Sequence, residues 1–310
     1  MKLLSHQSRR SFSLSLLSLL GGSVAVALEK RNVAAAKRED NREEVTVGTV
    51  EEFFSAIAPN RTIKLEPITY RLSNLNPNTR SQYARLEKVF DGYELIISDV
   101  ENLKIIGVGN SPSRLLTQPR YAEVLRFRNC HNLTIENIEA GHSPEPGYCH
   151  GGVLYFADSD RISINRCILF GSGTIGITAN RIQQLSCQNT EITNCTYHGL
   201  TVESSNEVKF TNCKWTKNRD YELINIGNSS NVQFIKCEFI DNFSSNLGSV
   251  NDYLFFNLQS SQFYGLKEDN LILVKDCIIT DNYFAKFTNN FDRINLVNTR
   301  IENNSFRLER

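Results

Sequence analysis

The sequence repeats itself. The octapeptides "ISINRCIL" from Ile162, "LSCQNTEI" from Leu185, "VKFTNCKW" from Val208, "VQFIKCEF" from Val232, "ILVKDCII" from Ile272 and "INLVNTRI" from Ile294 share one pattern. Each reads apolar, x, apolar, x, polar, small, x, apolar. "LKIIGVGN" from Leu103 and "LTIENIEA" from Leu133 follow it less closely. The steps between first residues are 30, 29, 23, 23, 24, 40 and 22. Such a period belongs to chains that stack one unit on the next, because no single unit can bury its apolar face alone.

A second alternating pair precedes most copies: Leu125/Phe127, Leu154/Phe156, Ile177/Ala179, Leu200/Val202 and Ile224/Ile226. One period therefore holds about three short strands, each burying one side. Three strands per 22 to 24 residues make a three-sided coil, and stacked coils pair in parallel at about 4.8 Å per coil. The expected fold is all-β, a right-handed parallel β-helix of about eight or more coils. From about Val47 onward the chain resembles the pectate-lyase-like and NosD-like β-helix proteins. The resemblance rests on the repeated "N-φ-x-φ-x-N-C-x-φ" phrases and the opening "TVGTVEEFFSAIAPNRTIKLEPITYRLSNL". In that opening Thr49 and Glu52 form a capping box, and Val50, Phe53, Phe54 and Ile57 share one helical face. A short helix is expected there, covering strand edges that would otherwise invite aggregation. A leucine-rich repeat would need a helix or extended segment per repeat, and the polar turns recur too densely for that.

The first 27 residues read as an export signal. Lys2, Arg9 and Arg10 precede the uncharged run "FSLSLLSLLGGSVAVAL", and Ala25–Ala27 supplies small residues for cleavage. "SRRSF" resembles a twin-arginine consensus, and a general secretory signal is the competing reading. Residues 28–46 are charged without an apolar face and read as a linker, leaving 47–310 as the β-helix domain. The expected location is periplasmic or extracellular. Cleavage removes three basic residues from a formally neutral chain, so no footprint for nucleic acid is left. No membrane span is expected in the mature chain.

Equivalent positions in successive coils form columns. The sixth position reads Val108, Ile138, Cys167, Thr190, Cys213, Cys237, Cys277, Thr299: small and inward. Two positions on, Ala140, Leu169, Ile192, Trp215, Phe239, Ile279 and Ile301 form an apolar stack. Asn218, Asn242, Asn282 and Asn304 predict an asparagine ladder at a turn. The chain has eight cysteines. In-register stacking aims neighbouring thiols side by side, so free thiols are expected. Alkylation of the unfolded chain without reductant should count all eight; a lower count means a disulfide. No CxxC pair occurs, and no metal site or cofactor is expected.

Long steps locate insertions. Gly109–Tyr121 and Gly141–Gly152 share one phase, as does part of the 40-residue step. They predict walls around a shallow groove, whose floor is the outward column Arg126, Tyr155, Thr178, Thr201, Asn225. Candidate ligand-binding residues are Arg126, His142, Glu145, His150, Tyr155, His198 and Glu222. The stretch "GHSPEPGYCHGG" reads either as a Gly/Pro turn with Cys149 packed inward, or as a polar wall formed by His142, Glu145 and His150. Resemblance to β-helix polysaccharide enzymes implies a sugar chain in such a groove. A lyase would need a base and a calcium ion or arginine to neutralise a uronate; a hydrolase would need two carboxyl groups. The polygalacturonase phrases "NTD", "GHG" and "RIK" are absent, and no aspartate cluster recurs at one phase. The expectation is an exported protein that binds a carbohydrate or a partner in the groove; the alternative is a polysaccharide lyase or glycoside hydrolase. Metal delivery in the manner of NosD-like proteins is the weakest option, because methionine occurs only at Met1.

Overall fold

Asparagine and aspartate set the corners. The left-handed backbone region is costly for most side chains and least costly for Gly, Asn and Asp. The chain uses it once per coil at several corners. One such column runs Asp99, Asn129, Asp158, Arg181, Ser204, Asn228; another runs Asn137, Arg166, Asn189, Asn212, Lys236, Asp276, Asn298. These single left-handed residues turn one short strand into the next without a loop. They explain the asparagine-rich phrases of the repeat.

The computed structural model describes residues 42–143, 151–171, 175–244, 253–259 and 271–307. Their strands form a parallel solenoid with three faces. The first face carries, among others, Leu125–Arg128, His198–Glu203, Ile224–Gly227 and Leu254–Gln259. The second carries Leu103–Gly107, His131–Glu136, Asn206–Thr211, Ser230–Ile235 and Ile294–Val297. Leu154–Asn165 and Ile175–Gln188 run unbroken round the corner between them, which joins the two faces into one 18-stranded sheet. The third face is a separate 9-stranded sheet. The registers reproduce the repeat alignment: Ile162 opposes Leu185, Leu185 opposes Val208, and Val208 opposes Val232. Across the 40-residue step Gln233 opposes Leu273.

The interior is a set of ladders. Trp215 stacks on Phe239 at 4.7 Å between ring centroids, Phe127 on Phe156 at 5.2 Å and Phe210 on Phe234 at 5.3 Å. Each ring pair is offset by one coil, so burial and ring contact are gained together. The asparagine ladder is present: Asn218 Nδ2 donates to Asn242 Oδ1 at 2.9 Å, Asn242 Nδ2 to Asn282 Oδ1 at 2.8 Å and Asn282 Nδ2 to Asn304 Oδ1 at 2.9 Å. The cysteine column works similarly. Cys167 N donates to Thr190 Oγ1 at 3.3 Å, Cys237 N to Cys277 Sγ at 3.3 Å and Cys277 N to Thr299 Oγ1 at 3.4 Å. A small side chain with an acceptor satisfies the corner amide, which is why Cys and Thr share that column. Cys130, Cys167, Cys187, Cys195, Cys213, Cys237 and Cys277 are buried free thiols; Cys149 lies outside the described residues. Burial pushes Cys130 up to about 11 and Cys167 up to about 12.

The first coil is closed by the one α-helix among the described residues, Val50–Ala56. Its capping box is complete, with Glu52 N donating to Thr49 Oγ1 at 3.1 Å and Thr49 N to Glu52 Oε2 at 3.2 Å. Val50, Phe53 and Phe54 are buried. Three features differ from the sequence reading. Strand Glu43–Val47 pairs with Arg61–Leu65 and so begins inside the segment read as linker. Gly109–Tyr121 is not a plain loop: Ser113–Thr117 is a strand of the third face. Finally, Ala84–Val89 runs antiparallel to Gly92–Ser98, which itself joins the first face in parallel with Leu125–Arg128.

Candidate functional site

The outward column of the first face is built as its alternation requires. Tyr155 stands opposite both Arg126 and Thr178, Thr178 opposite Thr201, and Thr201 opposite Asn225. Asn225 is followed by Asn257. Thr178 is buried despite facing outward, while Thr201 and Asn225 are half-buried. Among the described residues, Thr201 Oγ1 and Asn225 Oδ1 are shielded from solvent and hold no hydrogen bond. Shielded polar atoms ordinarily find partners.

At one end of this column Arg126 organises a cluster. Its Nη1 donates to Glu94 Oε1 at 2.5 Å, and its guanidinium lies 4.4 Å from the Tyr155 ring centroid. Glu94 Oε2 accepts from Glu123 N at 3.2 Å. Glu94 is 4% exposed and Glu123 9%. Arg126 neutralises Glu94, which leaves Glu123 as the excess carboxyl group. Desolvation pushes Glu123 up to about 8, against a smaller opposing pull from Arg126. Glu123 is thus a neutral carboxylic acid at pH 7, and its Oε2 has no partner among the described residues.

Three coils further on, a second cluster lines the rim. His198 follows Ile175 in register and precedes Glu222 in the chain of contacts. His198 Nδ1 lies 2.7 Å from the Glu222 carbonyl oxygen and 3.8 Å from Glu222 Oε2. A carbonyl can only accept, so Nδ1 carries the proton and the neutral ring keeps its Nε2 lone pair. Burial lowers the His198 pKa and favours that neutral form. Beside this pair stand three tyrosines. Tyr197 and Tyr221 stack at 3.7 Å with planes 14° apart, and Tyr253 meets Tyr221 edge-on at 5.0 Å. The hydrogen bond with Tyr197, together with burial, raises Tyr221 to about 12, so its phenol is un-ionised at neutral pH.

Of the residues singled out in the sequence, Arg126 and Tyr155 meet at one cluster, and His198 and Glu222 at the other. His142 does not line the groove. It is 4% exposed, with Nε2 2.8 Å from the Ala122 carbonyl oxygen. The third-face strand Ile138–His142 runs on into the histidine and carries it under the corner. Glu145 and His150 lie outside the described residues. Sequence reasoning missed Glu94, Glu123, Tyr197 and Tyr253. The tyrosine column was readable, because Tyr197 and Tyr221 each precede a first-face strand at the same offset. Glu94 was readable too, because it lies on the first-face strand Gly92–Ser98, whose Leu95 and Ile97 stand eight and six residues before Leu103. No group of three or more His, Cys, Asp or Glu side chains suited to a metal ion occurs among the described residues. No helix there is long and apolar enough to cross a membrane.

A three-faced parallel solenoid with a polar, tyrosine-edged first face defines the class, a β-helix protein. The chain belongs to the right-handed β-helix family: the family model described as "Right handed beta helix region" matches residues 151–307. No protein of curated function matches the chain. Among solved structures, pectate lyase Pel9A aligns with a TM-score of 0.50 at 10% identity, over 79% of this chain and 64% of its own. The alginate lyase from Paenibacillus sp. str. FPU-7 aligns at 0.43 and 10% identity, over 83% and 99%. A putative glycosyl hydrolase from Parabacteroides merdae ATCC 43184 aligns at 0.42 and 9%, over 63% and 97%. At these identities the likeness is one of fold alone.

Proposed function

We propose that this is an exported β-helix protein that binds a polysaccharide along its first face. The observation that carries the reading is the alignment of the tyrosine column, Tyr197, Tyr221 and Tyr253, beside a floor whose Thr201 and Asn225 hold unpaired polar atoms. A sugar ring has an apolar C–H face and a hydroxylated rim, and needs both kinds of surface side by side. An extended glycan lying along the solenoid axis would meet equivalent residues at every coil, about 4.8 Å apart. Export is supported by the N-terminal sequence. Titration with polygalacturonate, alginate and a β-glucan tests the reading. The double variant Tyr197→Ala/Tyr221→Ala should weaken binding by about 30-fold or more, the usual loss when aromatic anchors are truncated. Unchanged affinity, or no affinity of the parent for any glycan, would sink it.

Cleavage of the bound chain is a second reading, favoured by the fixed tautomer of His198. A neutral imidazole with Nε2 free is a Brønsted base at pH 7. His198→Gln should then abolish release of unsaturated uronates while leaving glycan affinity within about twofold. Parent protein that releases neither unsaturated uronates nor reducing ends would exclude this reading without touching the first.

A further inference from the structure

The second face carries a depression of its own, and no residue of the first-face column lines it. Its floor is the outward column Ser163, Ser186, Lys209, Gln233, each opposite the next in register. Two successive serines make that floor low. The corner that leads into this face is asparagine on the early coils: Asn60, Asn102 and Asn132 hold left-handed backbone there, as Asn231 does later. The early three are tied together, Asn132 Nδ2 donating to Asn102 Oδ1 at 2.7 Å and Asn102 Nδ2 to Asn60 Oδ1 at 2.8 Å. Arg161, Gln184 and Glu207 interrupt the run on three successive coils. Left-handed backbone is easier for Asn than for these longer side chains, so the exchange works against the corner. Its result is a wall: all three side chains are exposed and stand beside the serine floor. Wall and floor enclose a cavity of about 420 Å³, within the range of about 300–1,000 Å³ common to ligand sites. The wall is held in place. Arg161 Nη2 lies 3.1 Å from Asp160 Oδ1, and Gln184 Nε2 donates to Glu207 Oε2 at 2.9 Å. Lys209 has no ion pair or hydrogen bond among the described residues. Glu207 and Lys209 stand two apart on one strand and point the same way, so an acceptor and a donor lie side by side. Asp160 offsets Arg161, and Lys209 offsets Glu207, which leaves the site without net charge.

From this arrangement we infer a second binding site, on the second face, for an uncharged oligosaccharide. Neighbouring sugar hydroxyls each donate and accept, and meet Glu207 as acceptor and Lys209 as donor. The serine hydroxyls of the floor also do both, so they serve a ring in either orientation. The two faces look outward from different sides of the solenoid, so this site stands whether or not the first face binds a glycan. Calorimetric titration tests it, with the hexamers of β-1,4-glucose and of α-1,4-galacturonate as probes. In the Tyr197→Ala/Tyr221→Ala protein, which lacks the first-face anchors, the glucose hexamer should still bind. Adding Glu207→Ala/Lys209→Ala should weaken that binding about tenfold, the loss expected from hydrogen bonds to charged groups. Adding Ser186→Tyr instead should abolish it, because the ring fills the floor. Glu207 and Lys209 are exposed, so their variant should unfold at the same temperature as its parent. Loss of all binding in the tyrosine variant, or residual binding that neither second-face change weakens, overturns the site and leaves the first-face reading intact. Galacturonate held there as tightly as glucose overturns the assignment to an uncharged chain. Binding unaffected by the tyrosine changes and lost on the second-face changes keeps this site and overturns the first-face reading. A parent that binds neither hexamer overturns the inference.

Discussion

Replacing Asn242 with alanine should destabilise the protein by about 3–5 kcal/mol, read from denaturant unfolding. Asn242 is fully buried and stands in the middle of the ladder. Its Oδ1 accepts from Asn218 N at 3.1 Å and Asn218 Nδ2 at 2.9 Å; its Nδ2 donates to the Trp215 carbonyl at 3.0 Å and to Asn282 Oδ1 at 2.8 Å. Alanine removes these bonds, with a fifth to the Ile240 carbonyl at 3.3 Å, and leaves the backbone amide of Asn218 buried without a partner. Each such orphan costs about 1–3 kcal/mol. Asn304→Ala, at the half-exposed end of the ladder, should cost less than half as much, because water can replace its bonds. Coils of a solenoid interact mainly with their neighbours, so hydrogen exchange should rise first in the coils next to residue 242. A loss below about 1 kcal/mol would mean that the ladder is incidental to stability.

Glu123→Gln should abolish a pH dependence. The carboxyl titrates near 8 in the folded protein and near 4.5 in the ordinary state. The folded form therefore binds the proton more tightly. Its contribution to stability is complete below pH 4.5, falls as pH rises through the window to 8, and is lost above it. The slope inside that window is at most about 1.4 kcal/mol per pH unit. Glutamine is neutral at every pH, so the variant should gain on the parent as pH rises from 5 to 8. Two histidines act in the opposite sense. Burial lowers His142 and His198, so they disfavour the folded state at acid pH, and both cancel in the difference between variant and parent. A difference that stays flat from pH 5 to 8 would show Glu123 to be ionised throughout. The same substitution probes the groove, because the protonated acid lies beside the Arg126–Tyr155 pair.

The repeat made much of this architecture legible before any coordinates. A step of 23 between Ile162 and Leu185 is a pairing register stated in sequence terms, and the alternation around Tyr155 says which side of the sheet it faces. Asn218 and Asn242 were readable as a ladder because one column of polar residues sat where apolar ones were expected. Periodicity fails where the repeat is broken. Ala84–Val89 pairs antiparallel with Gly92–Ser98, and that local pairing leaves no mark at the coil period. His142 misled for a different reason. A histidine beside glycine and proline suggests an exposed turn, yet the strand from Ile138 extends far enough to bury the ring. Whether a residue near a corner points in or out depends on how many residues the corner takes, and the sequence does not state that number.

The corner residues have one more consequence. Because each coil closes on its own left-handed turns, the separation between the Arg126–Tyr155 pair and the His198–Glu222 pair comes in whole coils. From Arg126 to Thr201, in the strand that carries His198, it is three steps, about 14 Å. Excising or duplicating one coil would change that distance by a fixed increment and leave both clusters chemically intact. The fold thus behaves as a gauge with discrete settings, in which reach and chemistry are adjusted independently.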